Sequence, residues 1–240
     1  MVKIAKIAFY AIMLACFFII TIMWLRENDL FVLNRVKVIG NKLLTSEEII
    51  DLADLDFSSE IFEIDIDAVK KRLLSNELIA DVKITRNRPS AIKIKVTERD
   101  LIAVSAGSRL NTVTTDGCIV DTDNFRALYD LPMMTGSHFV YDSLGQKIVS
   151  DTMQDMIFIL TIIRTIDLQL YHTISEINFD PESGITLFYG NKSIPIVLGF
   201  DNYIDKLYNL YIFNSHMKDS DEFNKIKTID VRFAGQIVTK

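Results

Sequence analysis

The sequence predicts an α+β protein with a single N-terminal transmembrane helix, and three observations carry that prediction. A run from Ile7 to Leu25 holds no charged residue, no Pro and no Gly. Residues 30–100 then change period in the order strand, helix, helix, strand, strand, the pattern of a small β-α-α-β-β domain. Residues 101–240 read mostly as short alternating strands between turn residues, which predicts a mostly antiparallel β domain with flanking helices. The chain is thus expected to divide into a tail at 1–6, a transmembrane helix at 7–25, a first outer domain at 30–100 and a β domain at 101–240.

The apolar run comes first. At about 1.5 Å per residue it reaches roughly 28 Å, close to the ~30 Å hydrocarbon core of a bilayer. A helix is the single-segment structure that satisfies its own backbone there. Lys3, Lys6 and the amino terminus precede the run, whereas Arg26, Glu27 and Asp29 follow it. The positive excess on the short N-terminal side predicts that this side stays in the cytoplasm and that everything after Arg26 lies across the membrane. Trp24 falls near the outer end, where an indole favours the interface. The competing reading is a cleaved signal peptide. Two features oppose it: the run exceeds the usual ~7–15-residue apolar region, and no small-x-small cleavage site follows Leu25.

Charge separates the remaining chain. Residues 1–30 carry three basic and two acidic groups, 31–100 twelve and thirteen, and 101–240 eleven and seventeen. An acidic distal half excludes nucleic acid as a natural partner. The two cysteines, Cys16 and Cys118, stand on opposite sides of the predicted membrane boundary and cannot pair, so no intramolecular disulfide framework is expected. Cys118 reads as a small, partly buried side chain.

Within residues 30–100, Val36 and Val38 alternate with Arg35 and Lys37, the period of a half-buried strand, and Gly40-Asn41 ends it in a turn. Thr45 with Glu48 three residues on is a capping box that starts a helix, with Ile49, Ile50, Leu52, Ala53 and Leu55 on its apolar face. Ile61, Phe62 and Ile64 lead to a second helix, with Asp67 as expected N-cap and Val69, Leu73 and Leu74 inward. Strands follow at residues 80–85 and 92–98, separated by Arg88-Pro89-Ser90. The apolar strand face should meet the helices. The other face carries Arg35, Lys37, Lys83, Lys93 and Lys95, either as a solvated surface or as a docking face for acidic partners.

These residues resemble a POTRA domain of the FtsQ/DivIB family of bacterial division proteins. The resemblance is carried by Val36-x-Val38-x-Gly40-Asn41, Ser46-Glu47-Glu48-Ile49 and Ile61-Phe62-x-Ile64-Asp65. Its most specific part is Val82-x-x-x-Arg86-x-x-Pro89-x-x-Ile92-x-Ile94-x-Val96-x-Glu98-Arg99. The chain departs from the family at Asn76-Glu77-Leu78, where a Pro-Trp or similar pair is usual, and at Leu101, where Pro is usual.

In the second half, Thr112–Val120 predicts a hairpin turning at Asp116-Gly117. Leu131-Pro132 introduces a loop, and residues 151–169 carry Met153, Met156, Ile157, Leu160 and Ile163 at helical spacing. Strands are expected at 174–179, 185–189 and 194–198, a helix through Ile204, Leu207, Leu210 and Tyr211, and a last strand at 228–233. Asp116-Gly117, Leu131-Pro132, Leu198-Gly199 with Lys206-Leu207, and Ile229-Asp230-Val231-Arg232-Phe233 also resemble the family's β domain.

No catalytic constellation emerges, so no enzyme activity, cofactor or metal is expected. His138, His172 and His216 are scattered, and Asp116, Asp121 and Asp123 lack the ligand pattern of a calcium loop. Asn191-Lys192-Ser193 reads as a turn. The resemblance implies a non-enzymatic division scaffold of the inner membrane. It would be a single-pass type II protein at the septum with a periplasmic C-terminal part, in contact with other division proteins. It also implies that the last part of the β domain captures FtsB of an FtsB–FtsL complex by strand addition. Carried over by position, the partner-binding residues are Arg232, Phe233, Gly235, Ile237 and Val238, with the chain ending soon after at Lys240. The competing readings are a buried core strand at 229–238, a POTRA-bearing factor for protein transport or outer-membrane assembly, and an envelope enzyme with an unrecognised site.

Overall fold

The computed structural model describes residues 2–27, 29–106, 110–121, 130–136, 147, 150–217, 225–233 and 235–240. It divides into two units, Met1–Glu98 and Arg99–Lys240. His138 and Asp123 lie outside the described residues.

The first unit opens with helix α1, Val2–Glu27. Its side chains are described at Lys6 and from residue 9 to residue 24, where all but Thr21 are exposed. Among the described residues no helix is long and apolar enough to cross a membrane, so the span from Ile7 to Leu25 stands on its sequence.

Strand β1 (Arg35–Ile39), helices α2 (Ser46–Ala53) and α3 (Ile66–Leu74), and strands β2 (Ile79–Asn87) and β3 (Ala91–Glu98) complete the unit. The sheet order is β1-β3-β2, with β1 parallel and β2 antiparallel to β3. Ile49, Ala53, Val69 and Leu73 pack with Val82, Ile92, Ile94 and Val96 in one core. The capping box forms as expected: Thr45 Oγ1 accepts from the Glu48 amide, and the Glu48 carboxylate accepts from the Thr45 amide. The second helix is capped by Asp65 rather than Asp67. The Asp65 carboxylate stands one residue before the helix and accepts from the amides of Asp67 and Ala68, the second and third helical positions. Leu74 lies on the exposed side, one position beyond the buried Val69–Leu73 stripe.

Three of the residues that carry the resemblance join elements distant in sequence. Gly40 has φ +91°, and a Cβ there would stand 2.2 Å from the Val96 carbonyl oxygen, so only glycine lets the end of β1 lie this close to β3. Arg86 donates from Nε to the Ile61 carbonyl at 2.6 Å and from Nη2 to Ile64 at 2.7 Å. The Glu98 carboxylate accepts from the backbone amides of Lys42, Leu43 and Leu44 at 2.9, 2.7 and 3.0 Å. These charge-assisted bonds fix the loop between β1 and α2 to the end of β3.

The second unit holds β4 (Leu101–Ala106), β5 (Leu110–Thr114), β6 (Ile119–Asp121), β7 (Met133–Thr135), α4 (Asp151–Ile166), α5 (Leu168–Thr173), β8 (Ile174–Asp180), β9 (Gly184–Tyr189), β10 (Ile194–Gly199), α6 (Tyr203–Met217), β11 (Ile229–Asp230) and β12 (Val238–Thr239). Among the described residues these strands form one sheet in the order β12-β11-β10-β9-β8-β7-β4-β5-β6. Most neighbours are antiparallel; β4–β7, β7–β8 and β10–β11 are parallel. The α4 stripe of Met153, Met156, Ile157, Leu160 and Ile163 is buried, as its spacing predicts. The helix expected at 151–169 is broken at Asp167, which leaves helical geometry at φ −149° and caps α5 by accepting from the Leu170 amide. Tyr171 of α5 is buried and donates its hydroxyl to the Ile102 carbonyl at 2.8 Å. On α6 the inward face is Lys206, Leu207, Leu210 and Asn214. Ile204 and Tyr211, expected inside, are exposed because they fall on the flank of the stripe formed by Lys206, Leu207, Leu210 and Asn214, about 90–100° from its centre.

Candidate partner-binding edge

The last strand differs from its expectation in length and position. β11 covers only Ile229–Asp230 and is inserted parallel to β10, with Ile196 opposite Ile229 and Val197 opposite Asp230. The Val231 amide still donates to the Val197 carbonyl at 3.1 Å, and its side chain is buried. The chain then turns: the Gln236 amide donates to the Phe233 carbonyl at 3.2 Å, and Gly235 takes φ +70°, a left-handed conformation that glycine adopts without penalty. It returns as β12, antiparallel to β11. β11 is therefore covered, and β12 forms this edge of the sheet.

The orientation of the edge follows from its ladder. Lys240 donates to the Thr228 carbonyl, and the Thr228 amide donates back to the Lys240 carbonyl, at 3.1 and 3.2 Å. Antiparallel pairs alternate between bonded and non-bonded, so Thr239, next in line opposite Ile229, directs its N–H and C=O away from β11.

The five residues carried over by position take different roles. Ile237 packs on the hydrophobic core. Val238 lies on the edge strand and is 39% exposed. Phe233, expected on the same face as Ile229 and Val231, is 52% exposed because the turn lifts it off the sheet. Arg232 is held by Asp230, donating from Nε at 3.0 Å and from Nη2 at 2.6 Å. The Arg232 guanidinium keeps the Asp230 carboxyl below the usual carboxylate range, and Asp230 in turn raises Arg232.

Arg232, Phe233 and Gly235 line a groove of about 500 Å³ whose other wall is Asp201, in the link before α6, with Asp205 and Tyr208 of α6. Lys206 forms its floor. Its Nζ is buried and donates to the carbonyls of Leu198 and Asp201 and to Asp201 Oδ1, at 2.9, 2.6 and 2.9 Å. This fixes the link between β10 and α6. The α6 side of the groove carries no carried-over residue; its aromatic side chain is Tyr208, exposed on the face away from the buried stripe. Among the described residues no group of His, Cys, Asp or Glu could hold a metal ion. His172 and His216 are exposed. Cys118 is buried, and burial raises its thiol.

Residues 31–99 match the family described as POTRA domain, FtsQ-type, and residues 126–240 match FtsQ/DivIB, C-terminal related. The chain belongs to the FtsQ/DivIB family. Similar relatives extend across both units of this FtsQ/DivIB chain. The cell division protein FtsQ of Syntrophotalea carbinolica is 24% identical over 213 residues, covering 89% of this chain and 75% of the relative. That of Geotalea daltonii is 24% identical, covering 88% and 76%. The cell division protein DivIB of Clostridium tetani is 25% identical over 215 residues, covering 88% and 80%. Gly40, Arg86 and Glu98 thus have physical roles in an FtsQ-type POTRA domain: a close approach of neighbouring strands, a strand-to-loop clamp and an amide nest.

Proposed function

We propose that the chain is a non-enzymatic scaffold of the division machinery, held in the inner membrane by α1 as a single N-in span. In this reading residues 30–100 form a periplasmic POTRA domain and residues 101–240 the β domain. The β domain binds an FtsB–FtsL complex by adding a partner strand to β12. The observation that carries the reading is an outward-facing edge at Thr239 in the same β11–β12 hairpin whose turn exposes Phe233 and lines the groove. Strand addition draws affinity from backbone bonds and specificity from side-chain pockets, and both are within reach of one partner segment here. The positively charged N-terminal flank supports the N-in orientation.

The test is capture of FtsB–FtsL by the full chain reconstituted in bilayers, compared with a Phe233→Lys variant and a truncation after Asp230. Loss of capture in both supports the edge. Full capture by a folded Phe233→Lys variant moves the site elsewhere. No capture by the parent chain overturns the partner assignment.

A further inference from the structure

We propose that the first outer unit rests on the outer lipid surface through an aromatic patch at its membrane-proximal end, an inference that rests on reading α1 as a span. The patch is centred on Leu30 and Phe62, exposed by 40 and 47% although each is large and apolar, and the exposed Phe57 lies in the turn that leads to Phe62. It is built by one local arrangement. The Ile61 amide donates to the Phe31 carbonyl at 2.9 Å and the Leu33 amide to the Ser59 carbonyl at 3.0 Å, so residues 59–61 lie antiparallel alongside residues 31–33. The Phe31 and Phe62 rings meet at 5.6 Å, and the Arg88 guanidinium stands 5.8 Å from the centre of Phe62.

Chain connectivity selects the occupant. Leu30 follows Glu27, the last residue of α1, by three positions, a reach of at most about 11 Å even fully extended. The reach is shorter still because Asp29 to Val32 is a turn, closed by the Val32 amide on the Asp29 carbonyl at 3.0 Å. A headgroup layer is about 5–7 Å deep on each side of the hydrocarbon core. A span ending near Leu25 therefore holds Leu30 within about 14 Å of the hydrocarbon edge, in or just outside the headgroup layer, and Phe62 comes with Phe31. The patch is bordered by Arg88 and by Asp56 and Glu63, charges of both signs that suit zwitterionic headgroups while the rings enter the acyl boundary.

The experiment places the full chain in phosphatidylcholine bilayers carrying bromine at shallow or deep acyl positions and reads tryptophan quenching. Trp24 is the lone tryptophan of the parent chain and reports α1 itself. In a Trp24→Phe background, Phe62→Trp and, as a second site, Phe57→Trp report the patch. Leu74→Trp in the same unit, an exposed position at the far end of α3, is the control. The expected result is quenching of Trp24, quenching of both patch indoles that is stronger with shallow than with deep bromine, and no quenching at the control. Quenching of Trp24 without quenching at either patch position overturns the lipid contact and leaves the span. Equal quenching at the control overturns it as a specific contact. An unquenched Trp24 removes the span reading and this inference with it.

Discussion

Replacing Phe233 by Ala separates a partner-binding side chain from a structural one. The ring is 52% exposed and stands outside the hydrophobic core. A phenylalanine offers ~200 Å² for burial, so the exposed part leaves about 100 Å² for a partner to cover. At ~25 cal/mol per Å² that cover is worth about 2.5 kcal/mol, and its loss weakens binding roughly 70-fold. Folding stability should move by less than ~0.5 kcal/mol, the usual range for an exposed site. The assay is a titration of labelled FtsB–FtsL against the reconstituted chain, with hydrogen exchange across β10 and β11 as the measure of folding. An unchanged Kd with an intact fold refutes the edge assignment. A large loss of exchange protection would instead place Phe233 in the structure of the turn.

Four further outcomes are expected. Thr239→Pro removes an N–H that faces away from β11, so sheet protection should persist while binding weakens by about fivefold, the value of one net hydrogen bond of ~1 kcal/mol. Glu98→Gln sets an amide donor against backbone donors in the nest of Lys42, Leu43 and Leu44. It should cost about 2 kcal/mol, seen as roughly 30-fold faster exchange at the Leu43 and Leu44 amides. Tyr171→Phe leaves the buried Ile102 carbonyl without its donor, at a cost of about 1–3 kcal/mol. Burial pushes the Tyr171 phenol up to about 12 from 10.0, so its contribution is present below pH 10.0 and is lost as pH rises through about 12; an ultraviolet titration checks it. The hydroxyls of Ser58 and Ser59 lower the Asp56 carboxyl from 3.8 to about 2. Its stabilising effect is therefore present above pH 3.8 and fades as pH falls through about 2, and a carboxyl midpoint near 3.8 by NMR would refute these bonds.

What could be read from the sequence follows from which interactions are local. The capping box at Thr45 and Glu48, the α4 stripe and the turn at Asp116-Gly117 depend on residues within a few positions, and each forms where its pattern placed it. β4 gave no strand signal of its own, because Leu101 to Ser105 are all buried and alternation disappears. β7 is three residues between parallel neighbours, too short for any period. Asp65 and Asp67 both precede or open a helix, and only geometry decides which carboxylate reaches the free amides. The end of the chain failed for a related reason. Ile229, Val231 and Phe233 alternate as one strand would, but the ladder stops after two residues and Gly235 reverses the chain, which a period-two reading cannot see. Of the carried-over residues, Ile237 is taken by the core and Arg232 by Asp230, which leaves Phe233 and Val238 open beside the turn formed by Gly235.

The shortness of β12 bears on how a partner could be held. Two strand residues give one outward N–H and C=O pair at Thr239, worth a few kcal/mol at most. A nanomolar complex needs about 12 kcal/mol, so the backbone ladder cannot supply it alone. A short edge also resists pairing with unrelated strands, which a long exposed edge would invite. On the proposed reading the greater part of the affinity then comes from side chains in the same hairpin and its groove: the open ring of Phe233, Val238, and the groove kept in shape by Lys206 and its three oxygen acceptors. This fixes an order among the variants. Phe233→Ala should weaken binding more than Thr239→Pro, by about 70-fold against about fivefold. The reverse order would put the affinity in the backbone and make the groove incidental to it.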